Sequence, residues 1–199
     1  MFAVLTGAGL SAAAGLNAYI PFLIVALVAR FTDVINLPGG WQWIESWWAI
    51  GICSLLLISE VVLDKIPAVD SVNDLVGTVV RPATGGIISA ATQSAGALDH
   101  SSFLRDHEWT AVVGGIVIAG VVHTGKATAR PAINLGTVGF GAPIVSTVED
   151  ASSVSLSLIA IFIPVLVIFA LIVLAWGGFV FVRRMRSFAR RRRYVENTS

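Results

Sequence analysis

From Ala151 to Val182 the chain runs 32 residues without a charged side chain, and seven arginines follow between Arg183 and Arg193. A helix needs about 20 mostly apolar residues to cross the hydrocarbon of a bilayer, and Lys and Arg beside a span are held on the cytoplasmic side. The pairing predicts a membrane segment whose C-terminal end lies inside. The rest of the chain agrees, with 56% hydrophobic and 13% charged residues among 199 and a mean hydropathy of +0.84. A soluble domain carries roughly 25% charged residues. The formal net charge of +1 hides an uneven split: without 183–199 there are six basic and eleven acidic residues, a net of −5. The expected organisation is one transmembrane domain over 1–182 and a basic cytoplasmic tail over 183–199.

Charged residues divide the body into six low-charge stretches, 1–29, 46–59, 82–98, 109–125, 131–148 and 151–182. The pattern predicts an all-α integral membrane protein, a compact bundle of about six transmembrane segments, some of them broken or re-entrant. Stretches 82–98 and 131–148 are rich in Gly, Ala, Ser and Thr, which suits close helix packing in a bundle centre. The first stretch has no basic n-region and exceeds a normal signal-peptide core, so it reads as a retained span. With six crossings the inner side holds Lys65, Arg81, Lys126, Arg130 and the seven tail arginines, against Arg30 and Arg105 outside. That count favours N-in and C-in, with Glu149 and Asp150 at the outer surface. A five-span arrangement reverses the N-terminus. Trp41, Trp43, Trp47 and Trp48 mark the headgroup layer, a plainer reading than an aromatic binding platform.

Few polar residues interrupt the apolar stretches, and these are the candidate functional residues. Gly15-Leu16-Asn17-Ala18-Tyr19-Ile20-Pro21 places an Asn, a Tyr and a Pro midway along an uncharged run, which suggests an interrupted helix. The plainer alternative is a kink in which Asn17 joins two helices. Glu60 and Asp64 share a helix face near a boundary, with Lys65 at the exit, where an unpaired charge is costly. Arg81-Pro82-Ala83 and Arg130-Pro131-Ala132 echo each other. Pro favours the first helical position, so each Arg is expected at a helix N-terminus, a place that favours anions; interface anchoring is the plainer role. His123, Lys126 and Arg130 share a face if helical, with Asn134 a turn further on, and a proton path through such groups is one expectation. Arg183, Arg184 and Arg186 open the tail and are expected to contact anionic lipid. Cys53 is the sole cysteine and the three histidines lack metal-ligand spacing, so no metal or cofactor is expected.

The motifs GLNAYIP, DKIPAVD followed by RPATGG, and HTGKATARPAINLG followed by Glu149-Asp150 resemble a family of small bacterial integral membrane proteins catalogued as a domain of unknown function. The resemblance extends to about residue 150. It implies a multi-pass protein of the bacterial cytoplasmic (inner) membrane and assigns no reaction and no site residues. The residues themselves favour a small transporter or permease for a polar or anionic solute, with proton coupling as a further expectation. A chain of 21.0 kDa leaves little room for a two-lobed pathway, which suggests a homodimer. A lipid headgroup-binding scramblase or flippase and a non-catalytic membrane scaffold are the alternatives. An enzyme is least supported, since no nucleophile–base pair stands out, and a charge run alone does not argue for nucleic acid.

Overall fold

A computed structural model describes residues 2–95, 108–136, 141–177, 179–180 and 183. Among these residues the chain is all-helical: α1 (Phe2–Leu16), α2 (Tyr19–Phe31), a short 3-10 turn (Gln42–Glu45), α3 (Trp47–Leu63), α4 (Pro67–Ser94), α5 (Glu108–Gly136), α6 (Gly141–Phe162) and α7 (Leu166–Gly177). Local chemistry sets several of these boundaries. Ser46 caps α3 by accepting from the Ala49 amide at 3.2 Å, and Pro67 opens α4, where its missing N–H costs nothing. Helix α6 stops at Phe162, directly before Ile163-Pro164, because the residue before a proline is pushed out of the helical region.

The strongest departure from the sequence reading concerns the two Arg-Pro-Ala segments. Pro82 lies inside α4 and Pro131 inside α5, so neither Arg81 nor Arg130 sits at a helix start. Each proline removes one helical hydrogen bond, and tertiary contacts on both sides hold the helix together across it. Stretches 82–98 and 131–148 are therefore not separate helices. Of the first, 82–94 belongs to a 28-residue α4; of the second, 131–136 ends α5 and 141–148 lies in α6.

The interruption expected at Asn17 in the first stretch is present, and it leaves two helices, of 15 and 13 residues. At 1.5 Å per residue each is about 20 Å long, short of the roughly 30 Å hydrocarbon. Side-chain contacts give the directions. Ser11 donates to the Gly85 carbonyl at 3.0 Å, and Gly7 lies against Ser89, so α1 runs antiparallel to α4. Ser153 donates to the Ala13 carbonyl at 3.0 Å while Gly9 lies against Ala160, so α1 also runs antiparallel to α6. Leu23, Val25 and Ala26 of α2 share one apolar core with Leu10, Ile88 and Ala160, which turns α2 back beside α1. Helix α3 then descends along α2, with Arg30 on the Glu45 carbonyl at 2.8 Å and 4.0 Å above the Trp47 ring at one end, and Cys53 facing the Tyr19 carbonyl towards the other.

Helices α4 and α5 cross at glycine. A methyl on Gly85 would stand 2.6 Å from the Ala119 Cβ and 2.8 Å from the Gly115 carbonyl oxygen; only small residues let two backbones approach so closely. Among the described residues two helical stretches are long and apolar enough to cross a bilayer, Trp109–Pro131 and Gly141–Phe162; α1, α2, α3 and α7 are shorter apolar helices. The fold is thus helical and consistent with a membrane location.

A candidate charged site at the break between α1 and α2

The chain leaves α1 at Leu16 and enters α2 at Tyr19, and both helix ends are satisfied by polar side chains. Asn17 Oδ1 accepts from the amides of Tyr19 at 3.0 Å and Ile20 at 3.2 Å, filling orphan donors of the α2 first turn. Pro21 falls in that same turn, so it does not kink a continuous helix. At the end of α1, the Lys126 ammonium donates to the Leu16 carbonyl at 2.8 Å, a cation at the negative end of the helix dipole. The other end of the Asn17 amide, Nδ2, donates to Asp150 Oδ1 at 2.9 Å.

A network of charges spreads from this break through α3, α4, α5 and α6. Arg81 is fully buried. Its Nη2 meets Glu60 Oε1 at 2.7 Å and its Nη1 meets Asp74 Oδ1 at 3.1 Å. Arg130 Nη2 reaches Asp64 Oδ2 at 2.9 Å and also pairs with Glu149. Lys126 lies 3.0 Å from Glu149 and 3.6 Å from Asp64, and Asn73 donates to the other Asp64 oxygen at 2.7 Å. Pairing of this density is what allows so many charges away from water, since a buried ion without partners costs several kcal/mol.

His123 occupies a defined tautomer within the network. Arg81 Nη1 lies 2.8 Å from His123 Nδ1, and a guanidinium can only donate, so Nδ1 offers its lone pair. The ring proton of neutral His123 is then on Nε2, donated to Thr78 Oγ1 at 3.2 Å, while Thr78 donates to the Asp74 carbonyl at 3.0 Å.

The structure brings together Asn17, Glu60, Asp64, Arg81, His123, Lys126 and Arg130 of the residues singled out in the sequence. Lys65 does not join them; its ammonium bonds the Val61 carbonyl on the exposed surface. Tyr19 lines a neighbouring groove. Arg183 is exposed, and the side chains of Asn134, Arg184 and Arg186 lie outside the described residues. Glu149 and Asp150, expected at an outer surface, instead meet Lys126, Arg130 and Asn17. The outer placement follows only if 131–148 is a complete crossing, and Pro131 instead lies within α5. Asp74, which the sequence groups with Glu60 and Asp64 in an acidic inner run whose plainer reading is a solvated loop, also joins the network, since Asp74, Thr78 and Arg81 stand at i, i+4 and i+7, one face of a helix.

Asn17→Ala is expected to destabilise the fold by about 1–2 kcal/mol, because it removes a cap and leaves Asp150 without its amide. Asn17→Ser, which retains capping ability, should recover part of that loss. Thermal unfolding in detergent, followed by tryptophan emission, checks both, and equal melting of all three proteins would refute the capping role.

No curated protein matches the chain, and no solved structure matches it. A family model described as "domain of unknown function (DUF4126)" matches residues 4–184, which takes the family beyond the residue-150 limit of the sequence motifs to include α7. The chain belongs to the DUF4126 family.

Proposed function

We propose that this protein is a small membrane transporter in which the buried network couples proton movement to solute movement. The observation that carries the reading is the imbalance at the Asn17 break. Five carboxylates (Glu60, Asp64, Asp74, Glu149, Asp150) face three cations (Arg81, Lys126, Arg130). Ionisable groups inside a membrane protein are costly and mark ion or proton paths, and a surplus of carboxylates gives such a path places to hold a proton. The break itself supports the reading, since interrupted helices present backbone dipoles to a solute. An anionic solute loses its basis, because Pro82 and Pro131 lie within helices and the two arginines face carboxylates. Headgroup capture by the same arginines loses its basis for the same reason.

In this reading α1 and α2 form a re-entrant hairpin. The start of α1, segment 32–46 with Arg30 and the end of α4 lie on one side; Lys65 and the end of α7, which the arginine tail follows in sequence, lie on the other. Positive-inside then places the N-terminus outside and the tail in the cytoplasm, in place of the N-in arrangement drawn from six full crossings. A membrane scaffold is the second reading, favoured by the close pairing of the three cations.

The test is reconstitution of the full chain in liposomes holding a pH-sensitive dye and an imposed pH gradient. Sugars, amino acids, alkali cations and organic cations are then added in turn. Solute-dependent proton movement is expected, lost in Glu60→Gln and Asn17→Ala samples that still elute as single folded species. Internal pH that ignores every solute, or variants that match the parent, would turn the assignment to the scaffold.

A further inference from the structure

A lateral groove of about 410 Å³ opens between α2, the 3-10 turn, α3 and α4, a volume within the range of small-molecule sites. Its walls carry four aromatic side chains: Tyr19, Phe22, Trp43 and Trp48. The Phe22 and Trp43 rings pack with centroids 5.9 Å apart and planes tilted by 45°, so the two form one continuous wall. Ile52 on the groove wall and Leu55 and Ile58 beside it on α3 are each more than half accessible, and a ligand approaching past them must be tolerant of an apolar environment.

The inner end of the groove adjoins the charged network. Leu56, on its wall, precedes Glu60 by one helical turn, and Thr84, opposite, follows Arg81 by three residues. Glu60 is 5% exposed. Its Oε1 holds Arg81, while its buried Oε2 has no hydrogen-bond partner among the described residues. Two independent features therefore favour the same ligand charge. Aromatic faces attract a cation through the ring quadrupole, and the adjoining network holds more carboxylates than cations. An anion meets neither feature favourably, and a neutral apolar molecule gains only the walls.

We propose that the groove binds a lipophilic monocation, of the quaternary ammonium, phosphonium or protonated aromatic amine class. Phe22 and Trp43 face the charge, and Glu60 is its counter-ion. The assignment of this cation as the transported solute rests on the transporter reading above; the binding site does not. Glu60 would then take either the cation or a proton, which ties occupancy of the groove to the charge state of the network.

Titration of tetraphenylphosphonium into the detergent-solubilised full chain, followed by calorimetry, tests the site. Saturable binding is expected, weakened about tenfold by Trp43→Ala and likewise by Glu60→Gln, with neutral triphenylphosphine oxide failing to bind. Trp43 is partly exposed, so its replacement tests the groove even if Glu60→Gln does not fold. Absent saturation, equal binding of the neutral compound, or indifference to Trp43→Ala would overturn the proposal. Phosphonium binding without any phosphonium-driven change of liposomal pH would keep the site and remove the cation as the coupled solute. Coupled movement of a different solute without phosphonium binding would remove this proposal alone.

Discussion

Arg81→Met is expected to lower stability by about 3–5 kcal/mol, the cost of leaving buried carboxylates without their cation. The guanidinium is fully buried, and it serves Glu60, Asp74 and His123 at 2.7, 3.1 and 2.8 Å. Methionine fills much of the same volume, so the loss measures the charge rather than a cavity. Total stabilities of folded proteins run only about 5–15 kcal/mol, and each kcal/mol shifts melting by roughly 2–4 °C at this chain length. The melting change should therefore be large, read from tryptophan emission or from retention as a monodisperse species on heating. Arg81→Lys should fall between the two, because an ammonium keeps the charge and loses the fork that reaches Glu60 and Asp74 together. The double variant Arg81→Met/Glu60→Gln should be less damaged than the sum of the single changes. A melting temperature for Arg81→Met equal to that of the parent would mean the network is open to water.

Gly115→Ala is expected to have the next largest effect, about 1–3 kcal/mol. The added methyl would collide with the Gly85 carbonyl and lie 2.8 Å from the Ser89 Cβ. Backbone carbonyls cannot rotate aside, so α4 and α5 must separate. Arg81 and His123 stand one to two turns from this crossing on the same two helices, and separation would stretch their contact as well. The adjoining Gly114 provides the control, since a methyl there meets nothing within 4 Å. Gly114→Ala should be neutral or stabilising by up to about 1 kcal/mol, from helix propensity alone. The same melting measurement reads both, and indistinguishable curves would rule out the close crossing.

The helical character of the chain was legible because long uncharged stretches leave few other options, and the network was partly legible because polar residues stand out in apolar surroundings. Asn17, Glu60, Arg81 and His123 were recognisable for that reason. What misled the reading was punctuation. A local rule reads Pro82 and Pro131 as helix starts, but the Gly85–Gly115 contact and the ion pairs of Arg81 and Arg130 hold α4 and α5 intact across them. With those prolines as boundaries, 131–148 becomes a complete crossing and Glu149 and Asp150 fall on the outer surface. The aromatic groove was hidden differently. Trp43 and Trp48 are residues that a membrane interface also selects, and nothing in their spacing brings Phe22 and Thr84 beside them.

Asn17 commits both ends of a single rigid amide, Oδ1 to the first turn of α2 and Nδ2 to Asp150. The two groups are therefore not independent variables. An amide plane that turns to follow a displaced or neutralised Asp150 must also pull its oxygen away from the Tyr19 and Ile20 amides. Helix α2 would transmit that tilt along its 13 residues to Arg30, which rests on Trp47 at the far end. The single amide thus gears the charge state of one helix to the attitude of another.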